Sequence, residues 1–121
     1  MKRDASLYLK DILDCIAKAQ EFIGDLSYDD FVKDDKTSSA VVRKLEIIGE
    51  ATKQLQKEVR DAHPELPWSE MAKMRDKIIH FYFGVDYEIV WKVVKERLPE
   101  LKPLVEKVLK ELEESNQSLI R

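Results

Sequence analysis

Residues 41–59, VVRKLEIIGEATKQLQKEV, decide the fold, because their apolar positions recur at the spacing of one helix face. The pattern predicts a long helix over about residues 37–62. Gly49 lies inside it, although glycine costs about 1 kcal/mol relative to alanine in a helix interior. Close approach of a neighbouring helix would compensate, so Gly49 predicts a tight contact. The apolar stripe comprises Val41, Val42, Leu45, Ile48, Ala51, Thr52, Leu55 and Val59.

Similar patterns on both sides of this segment predict an all-α, up-and-down bundle of four to five helices. A first helix covers about residues 4–25, and Ser27 resembles the cap of a short helical turn. The polar stretch that reaches Ser38 is the most loop-like part of the chain. Pro64 and Pro67 then break the second helix. No segment is a convincing strand.

A third helix is predicted over about residues 69–83, and Gly84 ends it. Asp86 has the character of an N-cap for a fourth helix. A fifth helix, or a kinked extension of the fourth, continues around Pro103. The tail after about residue 115 is expected to fray.

The composition narrows the class of protein. The 121 residues suit a single domain over 1–121, and no apolar run approaches the ~20 residues that cross a bilayer. No export signal is recognisable, and Cys15 is the only cysteine, so a cytoplasmic protein without a disulfide framework or zinc cluster is predicted. A net charge of −3 argues against a basic surface that coats nucleic acid. It still allows an enzyme that binds one phosphate.

The stretch MRDKIIHFYFGVD, residues 74–86, concentrates the candidate chemistry. On a continuous helix, Arg75 and Tyr82 would lie within about 20° of each other, and Asp76 and His80 would share a neighbouring face. Arg75 and His80 would differ by about 140° in direction. They converge only if the arginine wraps around the helix or if a second copy of the site contributes. This geometry favours a shared groove.

These residue types fit metal-independent cleavage of RNA, in which the 2′-hydroxyl attacks the adjacent phosphorus. His80 can move protons near neutral pH, and Arg75 offers fixed charge and paired donors to phosphate oxygens. Asp76 could orient His80 or Arg75, and Tyr82 could donate to a phosphate or stack on a base. One Asp and one His without companion ligands make a poor metal site, so no cofactor is predicted.

Structural interpretations of the same residues stay open at this point. A single histidine such as His80 is more often half-buried and structural, and Arg75 with Asp76 is compatible with a solvated charged face. From the spacing of these residues alone, a catalytic role is the less favoured interpretation. Packing or helix-end roles are the interpretation for Cys15, His63, Trp68, Phe81, Phe83, Val85 and Trp91.

A family resemblance changes this balance. RDKIIHFYFGVDYEIVW, residues 75–91, resembles the signature of the HepT-like branch of the HEPN superfamily, which is Arg, four residues, His, one residue and Tyr. VRKLEIIGEATKQL and HPELPW are similar to the central helix and the turn of that family. The three segments occur in order over about residues 11–101. Phe81 stands where the family more often has a polar residue such as Glu, which leaves the motif intact.

The resemblance implies a HEPN-like helical bundle that forms a homodimer and brings two motif helices to one cleft. It implies a metal-independent ribonuclease that is the toxin of a toxin–antitoxin pair. The implied partner is an MntA-like nucleotidyltransferase, which inactivates the toxin by attaching AMP to the motif tyrosine. Carried onto this chain, Arg75 and His80 are the catalytic pair, Asp76 is the polar residue after Arg, and Tyr82 is the modification site.

Two alternatives remain beside that interpretation. The chain could be a non-catalytic helical binding subunit of a nucleotidyltransferase, which the acidic balance favours slightly. Arg43, Glu46 and Glu50 could line the cleft or form salt bridges between helices. The sequence does not identify the RNA that would be cut or the neighbouring gene.

Overall fold

The computed structural model describes residues 3–80, 82 and 84–120, with side chains as far as residue 116. An antiparallel hairpin of β1 (Ile79–His80) and β2 (Gly84–Val85) follows the sixth helix, and a π-helical turn, Val93–Arg97, joins the last two helices. The all-α prediction is confirmed. The helices of the described part are α1 (Ala5–Ile23), α2 (Tyr28–Lys33), α3 (Asp35–Gln54), α4 (Lys57–Ala62), α5 (Trp68–Ala72), α6 (Met74–Ile78), α7 (Tyr87–Lys92) and α8 (Leu98–Ile120).

The core forms where α1 packs along α3 and meets α8. The predicted first helix is confirmed: Asp4 accepts a hydrogen bond from the Ser6 amide at its start, and Gly24 ends it with a φ of 50°. Its apolar residues repeat every three or four positions, which places them on the face toward α3. The buried residues of α1 are Ser6, Leu9, Ile12, Cys15, Ile16, Ala19 and Ile23.

Gly49 makes the tight contact that its position in α3 predicts. A Cβ built on it would lie 3.3 Å from the carbonyl oxygens of Met71 and Ala72 and 3.4 Å from the Met74 Cβ. The junction between α5 and α6 therefore sits directly on the α3 backbone. Only glycine allows this approach without displacing a main-chain carbonyl.

Two stretches differ from the predicted helix boundaries. The loop-like stretch up to residue 38 is largely helical, because Ser27 and Asp34 cap α2 and α3 by accepting from the amides of Asp30 and Thr37. The predicted helix over 37–62 is divided into α3 and α4. The break is at Leu55, which takes an extended conformation while its side chain stays buried.

The C-terminal helices match the extension alternative. Asp86 caps α7, since its carboxylate accepts from the Ile89 amide at 3.2 Å. The chain then stays helical through the π-helical turn and past Pro103 to the end of α8. Pro99 and Pro103 are both exposed, so the position where proline removes one helical hydrogen bond lies at the surface. Within the described part, no helix combines the length and the apolar character needed to cross a membrane.

The prediction of a third helix over 69–83 without strands is wrong. The helical path is interrupted at Lys73 and ends at Ile78, and Ile79 is extended with φ −119° and ψ 119°. β-branched and aromatic residues favour strands, and Gly84 adopts a φ of 75°, which reverses the chain at little steric cost. His80 pairs with Gly84 and Ile79 with Val85, so the motif crosses from a helix into a hairpin.

Replacing Gly49 with alanine should destabilise the protein, although alanine is the better helix former. Overpacking typically costs about 1–3 kcal/mol, which exceeds the ~1 kcal/mol gained in helix propensity. Chemical denaturation would measure the free energy of unfolding. Ser39→Ala, at an exposed position of the same helix, is the control and should be nearly neutral. An unfolding free energy that is unchanged or raised in Gly49→Ala would contradict the close-approach argument.

Candidate functional site

The hairpin that carries the motif is held on both sides. On one side, α6 rests on Gly49 of α3 through Met74. On the other side, α7 is anchored by Phe31 of α2, whose ring centroid lies 6.3 Å from that of Tyr87 and 5.5 Å from that of Trp91. Phe31 is fully buried. These two contacts fix the ends of the hairpin and leave its turn at the surface.

Arg75 lies on α6 and meets a carboxylate of α3. Its Nε is 3.3 Å from Oε2 of Glu46, which is mostly buried, whereas the arginine side chain is 64% exposed. Among the described residues, its Nη1 and Nη2 atoms make no further hydrogen bond or ion pair. Because Glu46 engages Nε, the guanidinium is oriented with its two terminal nitrogens available to an anion. This is the interhelical salt bridge that the sequence left as one alternative for Glu46.

His80 lies on β1, and its partner comes from beyond the motif. Its Nε2 is 3.5 Å from Oδ2 of Asp86, and the imidazole is 48% exposed. The hairpin register explains this pairing, since Asp86 and His80 are diagonal neighbours on one face. The Asp86 amide also donates to the Ile78 carbonyl at 2.8 Å. Sequence reasoning identified Asp86 as a cap and missed this second contact, which becomes visible only with the reversal at Gly84.

The remaining motif residues lie apart from these two pairs. Tyr82 is at the turn of the hairpin and is 87% exposed, so its predicted place on a helix face with Arg75 is wrong. Asp76 is exposed and makes no ion pair or side-chain hydrogen bond within the described residues. The expected pairing of Asp76 with His80 or Arg75 is thus made by Asp86 and Glu46 instead. The packing predicted for Phe81 and Phe83 lies outside the described residues.

No ion pair or hydrogen bond joins Arg75 to His80 within the described part of the chain. The helical angle between them no longer applies, because His80 has left the helix. The two side chains are presented from a helix and from the strand that follows it. Arg75 supplies a permanent positive charge and His80 a titratable ring, both at the surface.

A groove of about 380 Å³ adjoins the motif segment at Lys77. Two of its three cations are already engaged: Arg97 donates to both oxygens of Glu70 and also to Glu100, and Lys77 donates to Glu70. The third, Lys92, makes no ion pair among the described residues. The hydrogen bonds from Arg97 hold the pKa of Glu70 below its ordinary value. The groove is therefore mixed in charge, with Glu96 and Glu100 beside its cations.

The other candidates of the sequence have structural environments. Burial raises the pKa of the Cys15 thiol, which disfavours the nucleophilic thiolate. His63 ends α4 and is buried beside Glu65 and Glu111. Trp68 is buried, and its indole donates to the His63 carbonyl at 2.9 Å, which confirms a packing role.

The salt bridge between helices that was the alternative for Arg43 and Glu50 is wrong, because both residues lie on α3. Arg43 and Glu50 pair with each other along α3, at 3.4 Å. Val85 and Trp91 are partly buried against the core, as predicted.

Comparisons with known proteins agree on one family. The family model described as Ribonuclease HepT-like matches residues 12–108. A Thermococcus cleftensis protein named "Probable ribonuclease HepT" is 51% identical over 110 residues, which are 91% of this chain and 100% of that protein. A Methanocaldococcus jannaschii protein named "Putative RNase MJ0127" is 40% identical over 119 residues, covering 98% of each chain. No solved structure gives a significant match.

Proposed function

This chain belongs to the HepT-like ribonuclease family, and we propose that it is an RNA-cleaving toxin whose reaction needs no metal ion. The observation that carries the proposal is the pairing of each candidate catalytic group with a carboxylate. Arg75 is held by Glu46 and His80 by Asp86, while both functional ends stay exposed. A surface salt bridge alone contributes little to stability, so stability does not account for this arrangement.

The proposed step uses only these groups. His80 takes the proton of a ribose 2′-hydroxyl, and the 2′ oxygen forms a bond to the adjacent phosphorus. The bond from phosphorus to the 5′ oxygen breaks, water protonates the leaving oxygen, and His80 returns its proton to solvent. The products are a 2′,3′-cyclic phosphate and a 5′-hydroxyl. Arg75 binds the non-bridging oxygens, whose negative charge grows in the transition state.

We further propose that Tyr82 is where a nucleotidyltransferase of the MntA type switches the protein off. The exposed position of Tyr82 at the turn supports this, since a second protein can reach it. The tyrosine oxygen bonds to the α-phosphorus of ATP, pyrophosphate leaves, and a base of the transferase takes the phenolic proton. The attached phosphate adds negative charge close in sequence to Arg75, which competes with RNA for the guanidinium.

The active form in this proposal is a homodimer with a shared cleft, located in the cytoplasm. In one chain, Arg75 and His80 stand on an open surface and have separate partners. A second copy would enclose the site and exclude water, which strengthens the electrostatic contacts of a phosphate. Asp76, exposed beside Arg75, is proposed to line this cleft.

A binding subunit without catalysis is the second candidate function. The net charge of −3 and the mixed charge of the groove at Lys77 favour it, because neither attracts RNA over a broad surface. In that case the exposed hairpin would serve to dock a nucleotidyltransferase. The presence of a full Arg75, His80 and Tyr82 set favours the ribonuclease.

RNA cleavage should persist in EDTA and be lost in Arg75→Ala and His80→Ala. Removing a positioned acid–base group should slow cleavage about 10²- to 10⁴-fold. Fluorescent RNA substrates would give the rates, and mass spectrometry would detect the cyclic phosphate. Lys73→Ala, at an exposed position between α5 and α6, is the control and should keep the parent rate.

Parent-like cleavage by folded His80→Ala would contradict the catalytic assignment. If the parent protein itself is inactive, intact mass must first show that Tyr82 carries no AMP. Unmodified, dimeric and inactive protein would favour the binding subunit.

Incubation with the transferase and ATP should attach AMP to Tyr82 and stop cleavage. Peptide mapping would locate the added mass. Tyr82→Phe should take up no label, and its cleavage should be insensitive to the transferase, whereas Tyr8→Phe is the control and should be labelled like the parent. Label at Tyr28 or Tyr87, or undiminished cleavage after labelling of Tyr82, would rule out this switch.

Light scattering over a dilution series should give twice the 14.2 kDa chain mass at micromolar concentration. Mixing Arg75→Ala with His80→Ala should restore part of the activity, because the mixed dimer keeps one Arg75 and one His80 from different chains. A monomer would disprove the dimer. Inactive mixed dimers would show that the two residues act within one chain.

A further inference from the structure

We infer that Asp86 is a positioning residue for His80, and that its two carboxylate oxygens have separate tasks. Oδ1 accepts from the Ile89 amide and caps α7. Oδ2 lies 3.5 Å from Nε2 of His80. The inference rests on the proposed ribonuclease function and assigns a role to a residue outside the motif.

The backbone around Asp86 is fixed before RNA binds. Its amide donates to the Ile78 carbonyl, which extends the pairing of the hairpin by one residue. Its φ of −92° and ψ of 95° are those of an extended residue that precedes a helix. The hydrogen bond of Oδ1 with the Ile89 amide fixes the orientation of the Asp86 carboxylate, which keeps Oδ2 on the side of the imidazole. The side chain of Asp86 therefore loses little conformational entropy when RNA binds.

The aromatic contacts of α7 extend this rigidity into the core. Tyr87 and Trp91 pack on Phe31, which is fully buried. Asp86 is therefore tied to the folded core by the helix that it caps. A group held in this way can set the orientation of an exposed histidine, which would otherwise sample several rotamers.

The consequence for the chemistry is a defined tautomer. A carboxylate accepts only, so Oδ2 at 3.5 Å favours a proton on Nε2, and the neutral ring then keeps its lone pair on Nδ1. Nδ1 is then the atom that takes the 2′-hydroxyl proton. The charge that His80 gains in this step lies beside the carboxylate of Asp86, which stabilises it.

A purely structural role for Asp86 as a cap is the competing explanation. Asn, Asp and Ser are nearly equal as N-caps, so Asp86→Asn and Asp86→Ser should both keep the cap. The two variants differ in what replaces Oδ2 of Asp86. Serine is too short to reach His80, and asparagine, with its oxygen used by the cap, directs an amide N–H toward Nε2. That donor favours a proton on Nδ1, which is the wrong tautomer for catalysis.

Both variants should unfold at nearly the parent temperature and show KM within about twofold of the parent. Asp86→Ser should lose about 10- to 100-fold in kcat, the range seen when the outer partner of a metal-binding histidine is removed. Asp86→Asn should lose more. Asp34→Ser is the matched control, because Asp34 caps α3 through the Thr37 amide and contacts no motif residue among those described. Its kcat should stay unchanged.

Two-bond ¹H–¹⁵N correlation spectra of histidine-labelled protein provide a readout independent of activity. The signals of His80 are assigned by their loss in His80→Ala. The neutral ring should carry its proton on Nε2 in the parent and on Nδ1 in Asp86→Asn. Parent-like kcat in both Asp86 variants, or an unchanged tautomer in Asp86→Asn, would overturn the inference. If parent protein that carries no AMP on Tyr82 cuts no RNA, the proposed function fails, while the spectra still test the contact between His80 and Asp86.

Discussion

The close approach of the Met71 and Ala72 carbonyls to Gly49, where a Cβ would lie only 3.3 Å from them, sets the spacing on which the candidate site depends. Glu46 lies one helical turn before Gly49, and Arg75 follows Met74 directly. A wider separation of α3 and α6 would move the guanidinium away from the Glu46 carboxylate. Because Gly49 has no side chain, α6 lies close enough to α3 for Arg75 to meet Glu46 at the surface. The cost of glycine in a helix is compensated by packing and by this alignment.

The hairpin shows how a small bundle presents reactive groups without weakening its core. Ile78 is fully buried, Ile79 is partly buried, and His80 is exposed, so burial falls residue by residue as the chain leaves α6. The aromatic cluster around Phe31 secures the return of the chain into α7. The segment between these anchors can carry polar and titratable side chains because little packing depends on them. The proposed function and the packing of the fold thus rest on different parts of one short motif.

The parts of the fold that follow from local physics were predictable from the sequence. The stripe of α1 and the cap at Asp86 each depend on residues within a few positions of one another. The tight contact of Gly49 joins residues far apart in the chain, and it was predictable only because a glycine in a helix interior needs such a compensation. The hairpin was not predicted, because the apolar spacing of residues 69–83 also fits a helix. The hairpin forms because Gly84 adopts a positive φ, and the spacing of apolar residues does not reveal such a backbone conformation. His80 and Asp86 are six positions apart, and they meet only because of that reversal.

The two carboxylate pairs impose different constraints on the proposed chemistry. Glu46 engages Arg75 at Nε, so a phosphate can bind Nη1 and Nη2 without breaking the salt bridge. The arginine is held in place and still offers its paired donors. Asp86 lies 3.5 Å from one of the two ring nitrogens of His80, and in the proposed tautomer the other nitrogen keeps its lone pair. In both cases a carboxylate occupies one polar atom of the functional group and leaves the reactive one exposed.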